Sequence, residues 1–137
     1  MGGTRFGGRK GRVPDLGALD ICLNVKSVKR SMDFYRSLGF RWIGGVTRKG
    51  WAILERDGVR IGLFHGYIKK NLLNFRGGDV HAIVAALRGA GLKPTTVKLL
   101  KSPGSGRAIL KDPDGNVIFF DTTPKERKAR KRGRQAR

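Results

Sequence analysis

The stretch Leu-Lys-Asp-Pro-Asp-Gly-Asn-Val-Ile-Phe-Phe-Asp, residues 110–121, decides the fold. Its Asp-Pro-Asp-Gly segment at 112–115 has the composition of a tight turn, because proline presets φ, aspartate bonds to its own backbone and glycine accepts a positive φ. Apolar runs lie on both sides of the turn, at 107–110 and 117–120. The stretch therefore predicts a β-hairpin.

The same hairpin phrase occurs once earlier in the chain. Residues 50–54 (Gly-Trp-Ala-Ile-Leu) match residues 106–110 (Gly-Arg-Ala-Ile-Leu), and in both copies an Asp-Gly pair and a second apolar run follow. The offset is 56 residues before the turn and 57 after it, because the second copy has Pro113 inserted. One such match alone would be weak evidence for a duplication.

A second match in the same order strengthens the repeat. At an offset of 52, Val28 aligns with Val80 and Gly39 aligns with Gly91, each pair marking the start and the end of an apolar helical pattern. Matches in both halves and in the same order predict a tandem duplication.

Each copy reads as strand–helix–strand–strand–strand. The first begins with an alternating strand at 19–25, and its helix has Ser27 as N-cap; the second begins with a strand at 72–75, and its helix has Asp79 as N-cap. The glycines at the helix ends are typical of C-terminal caps. The remaining strands are predicted at 41–46, 51–55, 60–65, 95–98, 107–111 and 117–121.

Length and charge predict one domain with basic extensions. The 137 residues carry 30 basic and 10 acidic side chains, for a net charge of +20. We expect a domain at 18–123, with modules at about 18–66 and 70–123. Residues 1–17 read as a flexible basic Gly/Arg arm, and residues 124–137 read as a disordered basic tail.

The sequence gives no sign of secretion or of a membrane partner. The single Cys22 excludes an internal disulfide framework and suits a reducing compartment. No apolar run approaches the length of a transmembrane helix, and no apolar signal segment begins the chain. We therefore expect a soluble cytoplasmic protein, or a nuclear one if the source is eukaryotic.

This duplicated βαβββ arrangement resembles that of the vicinal oxygen chelate superfamily, which includes glyoxalase I, extradiol dioxygenases and bleomycin-resistance proteins. The resemblance rests on Asn-Val-Lys-Ser at 24–27, Ser-Met-Asp-Phe-Tyr-Arg-Ser-Leu-Gly-Phe at 31–40 and Asp-Pro-Asp-Gly-Asn at 112–116, and it covers about residues 18–123. It implies an α+β fold in which two tandem βαβββ modules form a cup-shaped mixed sheet, with a helix packed on the outside of each half. It also suggests a homodimer.

The resemblance further implies that metal enzymes of this kind place ligands at four symmetric positions inside the cup. Here those positions fall on Asp20, Gly62, Leu72 and Phe119. A divalent metal needs three or four imidazole nitrogen or carboxylate oxygen donors, and glycine, leucine and phenylalanine offer none. We therefore expect no metal, no other cofactor and no catalytic residue, and the sequence favours a binding protein over an enzyme.

The cup would then bind a small neutral or anionic ligand without a metal. The candidate ligand-binding residues are Asp20, Cys22, Asn24, Phe64, Leu72 and Phe119. An equally weighted alternative is that these side chains simply fill the interior. For Asp20 itself, the sequence favours pairing with an arginine over a role as a general base or as a counter-charge in a pocket. We expect His65 and His81 to lie at the surface or to have satisfied structural roles.

The basic tail supports a second function, that of a protein associated with nucleic acid or ribosomes. Like-charge blocks commonly bind phosphates by counterion release, without reading sequence. A metal-dependent lyase or dioxygenase is the third alternative. The candidate nucleic-acid-binding residues, for RNA or DNA, are Lys125, Arg127, Lys128, Arg130, Lys131, Arg132, Arg134 and Arg137.

Overall fold

A computed structural model describes residues 14–135, with side chains described as far as Ala129. The fold is α+β, with an eight-stranded mixed sheet and three helices. All eight predicted strands and the first two helices are confirmed, with each strand end within two residues of its predicted position. The elements are β1 (Gly17–Asn24), α1 (Val28–Ser37), β2 (Arg41–Gly44), β3 (Trp51–Arg56), β4 (Val59–Phe64), β5 (Leu72–Gly77), α2 (Val80–Gly89), β6 (Thr96–Leu99), β7 (Gly106–Lys111), β8 (Val117–Thr122) and α3 (Pro124–Gln135).

The first compact unit, Leu19–Asn74, contains the first module. Its strands follow the order β2-β3-β4-β1, with β1 parallel to β4 and the other pairs antiparallel. A two-residue turn of Asp57 (φ 48°) and Gly58 (φ 84°) joins β3 to β4, because the mirror-image turn that fits the strand twist needs positive φ at both positions. The helix α1 packs on one face of this sheet through Val28, Met32, Ala52, Leu54, Ile61 and Leu63.

The second unit consists of the chain from Phe75 onward together with residues 14–18. Its strands β8, β7 and β6 are antiparallel neighbours, and Phe75 stacks on Phe120 with ring centroids 5.7 Å apart. The helix α2 packs on one face, and the buried cluster there consists of Val80, Ile83, Val84, Ala108 and Phe120.

Local capping fixes both module helices as the sequence predicts. The Ser27 hydroxyl accepts a hydrogen bond from the Arg30 N–H at 3.2 Å, and the Asp79 carboxylate accepts one from the Ala82 N–H at 3.0 Å. Each bond satisfies a backbone donor that the first turn of a helix leaves without a partner.

The turn that decides the fold is confirmed in detail. The Asp112 carboxylate accepts hydrogen bonds from the backbone N–H groups of Asp114 (2.9 Å) and Asn116 (2.8 Å), and from the Asn116 side-chain amide (2.7 Å). These donors favour the ionised carboxylate, so they lower the pKa of Asp112 below its ordinary value, with the Asn116 side chain as the largest cause. Gly115 has φ 84°, as predicted for the end of the turn.

The prediction of a disordered tail is wrong for residues 124–135, which form the helix α3. A reciprocal capping box begins it: the Glu126 N–H donates to the Thr123 hydroxyl at 3.0 Å, and the Thr123 N–H donates to the Glu126 carboxylate at 2.9 Å. Pro124 occupies the first helical position, where its missing N–H costs nothing. The sequence Thr-Pro-Lys-Glu carried this signal, and the charge of the segment obscured it.

The predicted N-terminal arm is only partly within the described residues. Residues 1–13 lie outside them. At the other end of the chain, residues 136–137 also lie outside them, and these include Arg137, a predicted nucleic-acid-binding residue. The prediction of a flexible arm is wrong for its last residues, because Leu16 packs against the second core and Gly17 begins β1. Within residues 14–135, no helix combines the length and the apolar character that crossing a bilayer requires.

Candidate functional site

One face of the first module collects four of the six predicted ligand-binding residues. In the parallel register of β1 and β4, Asp20, Cys22 and Asn24 lie beside Arg60, Gly62 and Phe64, respectively. The alternate residues Ile61 and Leu63 face α1, so this set lies on the opposite face of the sheet. Leu72 begins β5 in the same unit, and Phe119 lies in β8 of the other unit.

The carboxylate of Asp20 is paired with an arginine. Oδ1 of Asp20 lies 2.7 Å from Nε of Arg60, and the Asp20 side chain is only 3% exposed, against 26% for Arg60. A buried carboxylate needs a compensating charge, and the guanidinium supplies one. Pairing with an arginine is what the sequence favours for Asp20, and the geometry confirms this pair.

An aromatic ring occupies the space next to Gly62. A Cβ atom at this position would lie 2.6 Å from Cε2 of Phe64 and 3.3 Å from Cδ1 of Ile53. The Phe64 ring is held by Trp51, which stacks on it at 6.4 Å, and by Tyr67, whose edge meets it at 6.1 Å. The Phe64 ring therefore fills the space in which a longer side chain at position 62 would begin.

The remaining polar groups of this face hold the chain in place. The Asn24 side-chain amide donates to the Lys69 carbonyl at 3.4 Å, and the Asn24 backbone N–H donates to Oδ1 of Asn71 at 2.8 Å. Cys22 is 4% exposed, as expected of a small buried hydrophobe. Asp20 and Cys22 are thus buried on this face, whereas Phe64 is half-buried and Asn24 is exposed.

Both histidine rings contact backbone carbonyl oxygens, in keeping with the predicted surface or structural roles. Nδ1 of His65 lies 3.1 Å from the Val25 carbonyl oxygen. Nε2 of His81 lies 3.0 Å from the carbonyl oxygens of both Leu100 and Ser105, so this ring secures the loop before β7 to α2.

The four positions that the resemblance assigns to a metal do not fit one. Asp20 is committed to Arg60, Gly62 has the Phe64 ring beside it, and Leu72 and Phe119 bring no donor atom. Within residues 14–135, no cluster of three or more His, Cys, Asp or Glu side chains has the proximity that a metal ion requires. The chemistry of this donor set favours neither a metal-dependent lyase nor a dioxygenase.

A substitution tests the packing at position 62. Gly62→Ala should lower the free energy of unfolding by about 1–3 kcal/mol, because the added methyl group overlaps the Phe64 ring. The double variant Gly62→Ala/Phe64→Leu should lose less stability than the two single variants together, since the smaller side chain removes the overlap. Chemical denaturation measures all three; strictly additive losses would mean that the ring does not occupy this space.

A cavity of about 270 Å³ opens in the second unit. The register places Lys98 opposite Arg107 and Arg107 opposite Asp121, so these three charged side chains lie side by side on the face opposite α2. The lining residues are Lys98, Leu100, Gly106, Arg107, Asp121, Thr122, Thr123 and Pro124.

Most polar groups at the wall of this cavity have protein partners. Thr122 donates to the Gly78 carbonyl at 2.7 Å and accepts from the Gly77 N–H at 3.1 Å, and the Thr123 hydroxyl caps α3. Lys98 and Arg107 are exposed, and no ion pair within the described part of the chain involves either. The cavity therefore offers two cationic groups to a ligand.

The sequence analysis missed this cavity, although part of its signal was available. Alternation along the predicted strands at 95–98, 107–111 and 117–121 already places Lys98, Arg107 and Asp121 on one face. The other wall comes from Thr123, the last residue of the predicted domain, and from Pro124, the first residue of the predicted disordered tail.

The predicted nucleic-acid-binding residues lie in α3, apart from Arg137. Lys125 and Lys128 are exposed, and the aliphatic part of Arg127 lies against Gly104, whose added Cβ would meet Cδ of Arg127 at 3.1 Å. Arg130, Lys131, Arg132 and Arg134 fall within the helical range.

Two βαβββ modules define the fold of the glyoxalase/bleomycin resistance protein/dioxygenase superfamily, and solved structures confirm that fold for this chain. It is similar to NAD-dependent benzaldehyde dehydrogenase from Legionella pneumophila, with 17% identity, a TM-score of 0.62, and coverage of 76% of this chain and 97% of that one. A superfamily member from Vibrio splendidus 12B01 is similar with 16% identity, a TM-score of 0.54, and coverage of 76% and 96%. A hypothetical protein from Bacillus halodurans C-125 is similar with 16% identity, a TM-score of 0.52, and coverage of 82% and 96%.

No protein-family model matches the chain, and no curated protein matches its sequence. The structural likenesses therefore establish the fold, and the function must be argued from the residues.

Proposed function

We propose that this chain binds a small anionic ligand without a metal, in the cavity of the second module. The observation that carries the proposal is the pair of cationic side chains, Lys98 and Arg107, at the wall of a cavity of about 270 Å³. The first module supports it indirectly, because its corresponding face is occupied by the Asp20–Arg60 pair and by the Phe64 ring.

The chemistry of the cavity narrows the ligand class. A guanidinium and an ammonium group favour a carboxylate or a phosphate, and the guanidinium can hold either in a bidentate manner. Leu100 and Pro124 add apolar surface to the wall. The cavity volume of about 270 Å³ lies slightly below the range typical of ligand sites, about 300–1,000 Å³, so we expect a compact acid with a short apolar body.

The test is a ligand panel on the full chain with a matched pair of variants. Thermal shift and calorimetry would use inorganic phosphate, benzoate and short aliphatic carboxylates as probes, with Zn²⁺ and Ni²⁺ as a metal arm. Lys98→Gln/Arg107→Gln should weaken binding of the best acid at least tenfold, because a lost charged hydrogen bond costs about 1.5–3 kcal/mol.

The control is Lys101→Gln/Lys111→Gln, which removes the same charge at exposed positions that do not line the cavity. It should change the dissociation constant less than about twofold, since screened surface charges contribute little. An equal loss in both variants, no binding of any acid, or a stoichiometric metal that stabilises the protein would each overturn the proposal.

A further inference from the structure

The helix α3 is the most strongly charged element of the described chain. Its twelve residues include seven lysines and arginines and one acidic residue, Glu126. Apart from Pro124 and Ala129 it has no apolar residue, so it has no apolar stripe to bury against the domain.

Contacts at its first turns join α3 to the rest of the second unit. The capping box ties Thr123 to Glu126, and the Glu126 carboxylate also lies 3.9 Å from Nη1 of Arg76. The side chain of Arg127 lies against Gly104, where φ is 80° and a side chain would collide with it. The start and direction of the helix are thus fixed by specific contacts.

The rest of α3 is energetically unusual for a helix in water. Lysines and arginines recur three and four residues apart from Lys125 to Arg134, and like charges at these spacings repel each other. Gly133 also lowers the helix propensity. The capping box starts this helix, but the repulsion between its like charges opposes it. A polyanion bound along the helix would neutralise these charges and stabilise it.

We propose that α3 binds the phosphate backbone of nucleic acid without sequence specificity. Cations distributed along a helix of about 18 Å match a chain of regularly spaced phosphates, whose affinity comes from counterion release. An anionic membrane is another polyanion that a cell presents, but a helix that lies in a membrane surface has a substantial apolar face, and α3 has none.

The experiment measures binding of the full chain to fluorescein-labelled RNA and DNA of mixed sequence, by anisotropy over a range of KCl concentrations. The test variant is Lys125→Gln/Lys128→Gln/Lys131→Gln, which keeps the capping box and Arg127 and replaces lysine with a residue of similar helix propensity. The control is Lys26→Gln/Lys70→Gln/Lys93→Gln, which removes the same charge at exposed positions outside α3.

We expect the α3 variant to bind at least about tenfold more weakly near 100 mM KCl, and its salt slope to fall by about two to three, since each lost phosphate contact removes about one unit. The control should retain most of its affinity, and RNA and DNA of different sequences should behave alike.

Two results would overturn the inference. Equal losses in the α3 variant and the control would show that net charge alone drives binding. Vesicles containing phosphatidylserine, bound in an α3-dependent way while nucleic acid is not, would assign the helix to a membrane surface instead. The inference does not depend on the cavity ligand, because Lys98 and Arg107 are intact in both variants.

Discussion

Replacing Arg60 with methionine should lower the free energy of unfolding by about 3 kcal/mol, because it leaves the buried Asp20 carboxylate without its guanidinium. Breaking a buried ion pair from one side typically costs 3–5 kcal/mol, and the partial exposure of Arg60 (26%) places the expectation at the lower end. Methionine keeps much of the side-chain volume, so the loss reports charge rather than packing. Urea denaturation at neutral pH measures it.

A double-mutant cycle makes this prediction specific. Asp20→Asn combined with Arg60→Met should recover part of the stability that Arg60→Met alone loses, since no unpaired charge then remains buried. The control is Arg41→Met: the Arg41–Glu55 pair spans 3.6 Å and the Arg41 side chain is 75% exposed, so its loss should cost less than about 1 kcal/mol. If Arg60→Met were as mild as Arg41→Met, the pair would not hold this face together.

The Asp20–Arg60 pair shows how the charge of a buried carboxylate is compensated on this face. A lone carboxylate at this buried strand position needs a positive charge nearby. Here the β1–β4 register sets Arg60 opposite Asp20, so a protein side chain supplies the charge. The neighbouring position is closed by the ring of Phe64 over Gly62.

The fold was predictable because the sequence patterns that determine it are local and occur in both modules. Alternation gave the strands, Ser27 and Asp79 gave the helix starts, and the repeat confirmed each assignment with an independent copy. The error at α3 has a physical reason: the capping box of Thr123 and Glu126 nucleates a helix that the charge run alone would disfavour.

The site was less predictable because it depends on contacts between distant segments. Alternation correctly placed Asp20, Cys22, Asn24 and Phe64 on one face, but it could not show that the Phe64 ring folds over Gly62. The cavity in the second module needs Thr123 and Pro124 to lie beside β6 and β7. This proximity of two segments depends on tertiary packing, and no sequence pattern predicts it.

The repeat offers an internal comparison that no single-copy fold provides. Leu54 in the first module and Leu110 in the second are equivalent residues of the same hairpin phrase, and both lie on the face that the module helix covers. They differ in burial: Leu54 is 0% exposed, whereas Leu110 is only partly buried. Identical chemistry at equivalent positions therefore isolates the effect of burial.

Leu54→Ala should lower the free energy of unfolding by about 4 kcal/mol, and Leu110→Ala by about 2 kcal/mol. The first removes atoms that are fully out of water and leaves a cavity that its neighbours cannot fill, whereas solvent reaches the second site. Chemical denaturation of both variants against the parent chain measures the difference, provided that two probes give coincident transitions. Equal losses would mean that Leu110 is as tightly packed as Leu54, and that the two modules contribute equivalent cores despite their different surfaces.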